Sequence, residues 1–123
     1  MVRVRFERRG ETASLTVCGH AGYAPRGQDI VCAAASMLSM TAAARISALG
    51  QVRELDMQDG SMRLVCEAVP QVLEALETVR AGFAVLAEKY PAHISLTGAA
   101  DRPANTNGVA RQRAGGEQNE EVF

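Results

Sequence analysis

The sequence predicts an α+β fold, a two-layer sandwich in which two helices cover a mostly antiparallel sheet in the order ββαββαβ. Two observations predict this class. Short segments of alternating apolar and polar residues indicate half-buried strands, and two long segments with apolar residues three and four positions apart indicate helices. Each helical segment follows a pair of strand segments, so the chain contains two similar ββα halves and one closing strand, although the halves share no obvious sequence repeat.

The first two strands form a predicted hairpin. Apolar residues alternate with Arg3, Arg5 and Glu7 in the first strand, and a turn around Gly10 follows. In the second strand, one face carries Ala13, Leu15, Val17 and Gly19, and the other carries Thr12, Ser14, Thr16, Cys18 and His20.

The first helix is predicted from Ile30 to about Leu49. Asp29 is a favoured N-cap residue, and Gly50 is favoured directly after a helix, so both ends are indicated. The helix is apolar almost all round, which means that a sheet, another helix or a partner subunit must cover most of its sides.

The second half of the chain repeats the pattern. Strands over 52–57 and 62–68 flank Asp59-Gly60, a strong hairpin turn. Pro70 suits the first turn of an amphipathic helix that ends at Pro91, and residues 93–97 form a short last strand. The sequence therefore predicts a domain over residues 1–97, followed by a disordered polar tail over 98–123 that carries too little apolar surface to fold.

Composition limits the function classes. The chain has 123 residues, 47% hydrophobic and 22% charged, with a net charge of -1, so it has no overall charge that favours nucleic acid or an anionic membrane. The longest apolar run, Ile30 to Leu38, is shorter than a membrane span, and no leader-like segment opens the chain. We therefore expect a cytoplasmic protein, in which three cysteines do not make a disulfide framework.

Cys32 and His20 form a candidate catalytic pair. Cys32 lies in the first turn of the helix that Asp29 caps, where free N–H groups and the helix dipole favour the nucleophilic thiolate and could stabilise an oxyanion. His20 ends a strand twelve residues earlier. The loop between them, broken by Gly22 and Gly27, is long enough to bring the imidazole to the thiol, which is the minimum equipment for covalent acyl transfer. We expect this loop, residues 21–28, to be mobile and to close over a bound peptide.

Each of these residues also has a structural interpretation. Cys32 could be a small buried side chain, and N-capping alone explains Asp29, although this carboxylate could also orient His20. Ser36 lies one helical turn after Cys32 and could contact substrate or bond back to the carbonyl of Cys32. Gly19, Gly22 and Gly27 serve the backbone geometry of the substrate-binding loop.

The other two cysteines look structural. Cys66 shares a strand face with Met62 and Leu64, which places it in the core. Cys18 and His20 could form a metal site with Cys32, but no paired ligand spacing supports that interpretation, so we expect no metal and no cofactor.

Two sequence elements around the candidate pair resemble the bacterial ribosomal-processing cysteine proteases called Prp. They are Gly19-His20-Ala21-Gly22-Tyr23 and Gly27-Gln28-Asp29-Ile30-Val31-Cys32-Ala33-Ala34-Ala35-Ser36. The likeness is specific because the Gly-His-Ala element and the Asp-Ile-Val-Cys-Ala element follow each other at a short fixed spacing. Element order and length match over residues 1 to about 97.

The resemblance implies a function and its residues. Enzymes of this family remove the N-terminal extension of a large-subunit ribosomal protein. Their catalytic pair matches His20 and Cys32, and their acidic and hydroxyl neighbours match Asp29 and Ser36. The resemblance also implies a homodimer and a ribosomal-protein peptide as substrate.

Two other function classes stay open from the residues. In a non-catalytic ribosome- or RNA-associated domain, His20 and the loop would only shape a binding surface, although Arg3 and Arg5 beside Glu7 make a poor basic stripe. In a redox-active thiol protein, Cys32 would need Cys18 as its resolving partner.

Overall fold

Seven elements follow one another in the predicted order in the computed structural model, which describes residues 1–98. The α+β two-layer sandwich is confirmed. The predicted polar tail lies outside the described residues, apart from Gly98. The elements are β1 (Val2–Arg9), β2 (Thr12–Cys18), α1 (Ile30–Ala48), β3 (Val52–Gln58), β4 (Ser61–Glu67), α2 (Pro70–Lys89) and β5 (Ile94–Thr97).

The five strands form one sheet in the order β3-β4-β2-β1-β5. All neighbours are antiparallel except β1 and β5, which run parallel. The register places Val4 beside Val17, and Leu15 beside Leu64, so the apolar residues of adjacent strands share one face. That face is the core, and the opposite face carries the polar half of each alternation.

Both helices cover the apolar face of the sheet. α1 packs near β3 and β4, and α2 packs against α1 and β5. The rings of Phe6 and Phe83 meet edge to face with centroids 6.2 Å apart, and both side chains are fully buried. Gly82 lets the helices approach closely, since a Cβ atom there would lie 2.6 Å from a methyl carbon of Leu38.

Two strand ends differ from the sequence expectation, and both differences concern histidines. β2 stops at Cys18, so His20 lies beyond the strand rather than on it. Gly19 has a φ of 97° and lies so close to the Met1 carbonyl that no side chain would fit, which ends the extended conformation. β5 begins at Ile94 rather than at His93, whose N–H donates to the Tyr90 carbonyl in the preceding turn.

The apolar outer side of α1 stays exposed in the described chain. Ile30, Met37 and Met40 are each more than half exposed, whereas Val31, Ala35 and Ile46 are buried against the sheet and α2. By length and composition alone, α1 would suffice to cross a membrane, a test that the core helix of a globular domain also passes. The expectation that no apolar segment reaches that length is therefore wrong for the whole helix, because small alanines extend its apolar character past Leu38.

Candidate active site

Asp29 joins the start of α1 to the loop before it. Its Oδ1 accepts from the N–H of Cys32 at 2.9 Å, which is the predicted N-cap bond. Its Oδ2 accepts from the N–H groups of Tyr23 at 2.9 Å and Ala24 at 3.3 Å. Both oxygens thus hold backbone groups, and the carboxylate orients the loop rather than touching the imidazole of His20.

The hydrogen bonds to Asp29 favour its charged form. Desolvation acts to raise the pKa of this carboxyl, but the backbone N–H groups of Cys32, Tyr23 and Ala24 oppose it. The net result is a pKa below the usual value of 3.8. Asp29 therefore stays a carboxylate acceptor at neutral pH and is no general acid.

The Cys32 thiol lies at the helix start, half-buried, and faces the loop. Its Sγ accepts from the N–H of Ala21 at 3.2 Å. The N–H of Cys32 itself is taken by Asp29, and the N–H of Ala33 bonds to the Asp29 carbonyl at 3.1 Å. These two helix N–H groups are therefore occupied rather than free, as the sequence had suggested, and the N–H of Ala21 donates to the sulfur instead.

His20 stands on the other side of the same cleft. Its side chain is exposed, and its ring lies on Gly60, where a Cβ atom would come within 2.7 Å of Nε2. Gly19 ties this segment down, because its N–H donates to the Gly60 carbonyl at 2.9 Å. Among the described residues no hydrogen bond joins the His20 ring to the Cys32 thiol, so a proton transfer needs a shift of the imidazole or a bound substrate.

The cleft that contains both residues has a volume of about 650 Å³. The start of α1 forms one wall, the 19–29 segment forms the second, and the β3–β4 turn forms the third. Ser36 lies in this lining, and within residues 1–98 its hydroxyl has no hydrogen-bond partner, whereas the buried Ser39 bonds back to the Ala35 carbonyl at 2.8 Å. The lining includes Gly19, His20, Gly22, Gly27, Asp29, Cys32, Ser36, Met40, Met57, Asp59, Gly60 and Met62.

The backbone N–H groups of Ala21, Tyr23 and Ala24 anchor the first half of the loop over the cleft, and an ion pair links its second half to the β3–β4 turn. Gly22 and Gly27 have φ values of 68° and 89°, so both glycines occupy conformations that other residues rarely adopt. Between them, the guanidinium of Arg26 pairs with the carboxylate of Asp59 at 3.2 Å across the cleft mouth, with both side chains largely exposed. An exposed pair of this kind contributes little stability, so it leaves the loop able to open.

Three parts of the site escaped the sequence analysis. The Asp59-Gly60 turn was recognised as a turn, but its position in the cleft follows from the pairing of β2 with β4, which places Cys18 opposite Ser61. The N–H of Ala21 is a backbone group, so its residue type gives no indication of a role in the site. His93, which bonds to the Ala21 carbonyl, comes from the segment between α2 and β5, far from Ala21 along the chain.

Cys66 and Cys18 lie away from the cleft. Cys66 is fully buried and donates to the Ala13 carbonyl at 3.4 Å, as expected of a core residue. Cys18 lies on the polar face of the sheet, whereas α1, which carries Cys32, covers the other face. Within residues 1–98 no three histidine, cysteine or acidic side chains come together as metal ligands.

The sequence of this domain matches a family model described as Cysteine protease Prp over residues 1–95. The chain belongs to this family. Prp proteins are cysteine proteases, so the cleft with His20 and Cys32 is the candidate active site of a cysteine protease. No curated protein matches the sequence.

Solved structures agree with the fold of the Prp family. An essential ribosomal processing protease Prp from S. aureus, in complex with a covalently linked product peptide, has a TM-score of 0.69 and 24% identity, and the match covers 79% of this chain and 98% of that one. The same protease in complex with a substrate peptide has a TM-score of 0.63 and 23% identity, and the match covers 79% of this chain and 98% of that one. SMU.848 from Streptococcus mutans has a TM-score of 0.61 and 30% identity, and the match covers 79% of this chain and 92% of that one.

Proposed function

We propose that this Prp-family chain is the endopeptidase that removes the N-terminal extension of a large-subunit ribosomal protein, with Cys32 as nucleophile and His20 as general base and acid. The observation that carries the proposal is the placement of both side chains in one cleft, with the Cys32 sulfur held by a backbone donor. The peptide-bound protease of S. aureus, named as a ribosomal processing enzyme, supports the substrate class.

The reaction has two halves. His20 takes the proton of the Cys32 thiol, and the thiolate attacks the scissile carbonyl carbon, forming a C–S bond and an oxyanion. The oxyanion collapses, the C–N bond breaks, and the imidazolium gives its proton to the leaving amine, which departs as the mature N-terminus. Water, deprotonated by His20, then attacks the thioester, and the extension leaves as a carboxylate while the thiol recovers its proton.

Asp29 and Ser36 act as supporting residues in this proposal. Asp29 fixes the start of α1 and the loop through three backbone N–H groups, and it thereby holds Cys32 toward the cleft. Ser36 offers a free hydroxyl one turn further along α1, where a bound peptide backbone needs donors and acceptors.

A cleavage assay tests the proposed function. The purified protein is mixed with a peptide that spans the extension and its cleavage region, and the products are identified by mass spectrometry. We expect two products from the wild type and none from Cys32→Ala, with Cys18→Ala as the matched control that retains activity because Cys18 lies on the far face of the sheet. Turnover by Cys32→Ala at the wild-type rate would contradict the nucleophile assignment.

We also propose that the protein is a cytoplasmic homodimer. β3 forms a sheet edge whose helix-facing residues remain uncovered: Leu55 is 41% exposed and Met57 is 47% exposed, while their register partners Leu64 and Met62 are buried. Met37, 63% exposed, lies on the outer side of the neighbouring α1. A second copy of the chain would cover this apolar surface, which a monomer leaves in water.

Sedimentation tests the dimer. The 13.1 kDa chain should sediment at twice its mass, and Met37→Glu with Leu55→Glu should sediment as a monomer that keeps its fold. A wild-type monomer at micromolar concentration would contradict the dimer without affecting the protease assignment.

A further inference from the structure

A chain of contacts leads from His93, directly before β5, through the loop to the catalytic sulfur. The ring nitrogen Nδ1 of His93 lies 2.9 Å from the carbonyl oxygen of Ala21. The N–H of the same residue, Ala21, donates to the Sγ atom of Cys32 at 3.2 Å. His93 and Cys32 therefore hold the two peptide groups on either side of one alanine, directly after His20 in the chain.

The chemistry of this chain of contacts fixes the proton on the His93 ring. A carbonyl oxygen only accepts hydrogen bonds, so Nδ1 must carry the hydrogen that is donated to Ala21. Ala21 is 3% exposed, and its carbonyl would lack a partner if His93 were removed. A buried carbonyl without a partner is costly, so the loop would rotate its peptide groups to find another donor.

His93 itself is held in place by the backbone. Its N–H donates to the Tyr90 carbonyl at 2.9 Å, and its carbonyl accepts from the N–H of Val2 at 2.9 Å. The ring of Tyr23 meets the ring of His93 edge to face with centroids 5.4 Å apart, and it meets Tyr90 at the same distance. The two backbone hydrogen bonds hold the donor residue without help from Tyr23, whereas the loop that it contacts contains Gly22 and Gly27, both with positive φ.

We propose that His93 is a positioning residue: by holding the Ala21 carbonyl it fixes the backbone of Ala21, so that the N–H of this residue stabilises the Cys32 thiolate and then the oxyanion. The N–H of Cys32 is taken by Asp29, so the Ala21 N–H is the donor that the described residues place on the sulfur. The oxyanion forms on the carbonyl oxygen, one bond away from the carbon that the sulfur attacks, so a donor already on the sulfur needs to move little to reach it. The proposal deepens the proposed protease function and rests on it for the oxyanion step only.

Alkylation of Cys32 tests the proposal without a substrate. The rate of iodoacetamide labelling at pH 7 is measured by mass spectrometry in wild type, His93→Phe, His93→Asn and Tyr23→Leu. His93→Phe keeps a ring against Tyr23 but loses the donor, whereas His93→Asn keeps a donor N–H near the Nδ1 position. Tyr23→Leu is the matched control, because it removes the ring contact and leaves the hydrogen bond.

We expect His93→Phe to slow the labelling of Cys32 about threefold, because the loss of a hydrogen bond to the thiolate is partly offset by a more nucleophilic sulfur. His93→Asn and Tyr23→Leu should label at close to the wild-type rate. With a cleavable peptide, His93→Phe should lower kcat and leave KM nearly unchanged. Labelling of His93→Phe at the wild-type rate, or equal slowing by Tyr23→Leu, would overturn the proposal even if the chain cleaves peptide.

NMR of the unsubstituted protein gives a second test that needs no stable variant. Long-range proton–nitrogen spectra should show the His93 ring protonated at Nδ1, and the Ala21 amide proton should shift when Cys32 is alkylated. A neutral His93 ring protonated at Nε2 alone would overturn the proposal. If wild type cleaves no peptide but passes the labelling and NMR tests, the protease function fails and the positioning of the Ala21 amide stands.

Discussion

The imidazole of His20 rests on Gly60, so closely that a methyl group at position 60 would lie 2.7 Å from Nε2 and 3.0 Å from Cε1. The glycine comes from the β3–β4 turn, forty residues further along the chain. Its N-terminal neighbour Asp59 pairs with Arg26 of the loop. The turn therefore forms both the surface under the His20 imidazole and one side of the cleft mouth.

We predict that Gly60→Ala lowers kcat/KM on the order of tenfold to a hundredfold, because displacing a catalytic group by about 1 Å has effects of that size. The positive φ of 78° also costs about 1–2 kcal/mol of folding stability when a Cβ is added. Gly50→Ala is the matched control, since its φ is 72° and no atom lies within 4 Å of a Cβ there. It should lose similar stability and keep its activity. Equal kcat/KM in the two variants would show that Gly60 does not position His20.

We predict that native Cys66 resists alkylation while Cys32 is labelled. Burial, together with the charge of Glu67, raises the pKa of the Cys66 thiol from 9.0 to about 11. The folded protein therefore favours the neutral thiol of Cys66. The contribution of this thiol to the free energy of unfolding is complete below pH 9 and is lost as the pH rises through about 11. Urea unfolding at several alkaline pH values should show a steeper loss for wild type than for Cys66→Val. Parallel curves would contradict this account.

We predict a matching effect of Asp29 at acid pH. Because its pKa is lowered in the folded protein, its stabilising effect is complete above the unfolded value of 3.8 and is lost as the pH falls through the lower folded value. Asp29→Asn keeps an oxygen for the Cys32 N–H but cannot titrate, so the acid part of the stability profile should flatten in this variant. Asp29→Ala should also lower the melting temperature at neutral pH. An Asn variant that tracks the wild type below pH 4 would rule out Asp29 as the titrating group.

We predict that the loop over residues 21–28 closes over a bound substrate peptide, and the structure makes this prediction more specific. The amides of Ala21, Tyr23 and Ala24 already have acceptors, so they should be protected from hydrogen exchange in the free protein. Arg26 and Gly27, beyond those anchors, should gain protection only when a peptide binds to the inactive Cys32→Ala variant. A scrambled peptide is the control. Full protection of residues 26–27 without peptide would mean that the site is preformed.

The sequence predicted the elements well because each of them is encoded locally. Alternation in β1 and the N-cap at Asp29 are properties of neighbouring residues, and they place Cys32 in the first helical turn as expected. The partners of His20 and Ala21 are encoded elsewhere in the chain. Gly60 reaches the cleft because β4 pairs with β2, and His93 reaches it because β5 pairs with β1. Such pairings between distant segments leave no periodic signal in the sequence.

The sequence-based expectation of free N–H donors near Cys32 was incomplete. Position in a first helical turn correctly suggested N–H groups near Cys32, but the same Asp29 that marks the helix start also consumes the N–H of Cys32. A good cap therefore removes the donor that a nucleophile at this position would otherwise use. The donor that contacts the sulfur instead is the N–H of Ala21. Any residue at position 21 except proline would supply this backbone group, so the sequence does not mark it.

The contact between Gly19 and Met1 matters for the preparation of the protein. Met1 lies against the residue that precedes His20, and Val2 lines the cleft, so an affinity tag fused to the amino end would emerge beside the cleft that contains His20. β5 runs parallel to β1 and carries the chain away from the cleft, so that Gly98 lies next to Phe6. Five strand positions separate this point from Met1, about 16 Å at the rise of an extended strand. An uncleaved handle before residue 1 would therefore start at the peptide entrance and compete with substrate for it, whereas Gly98 lies farther from that entrance.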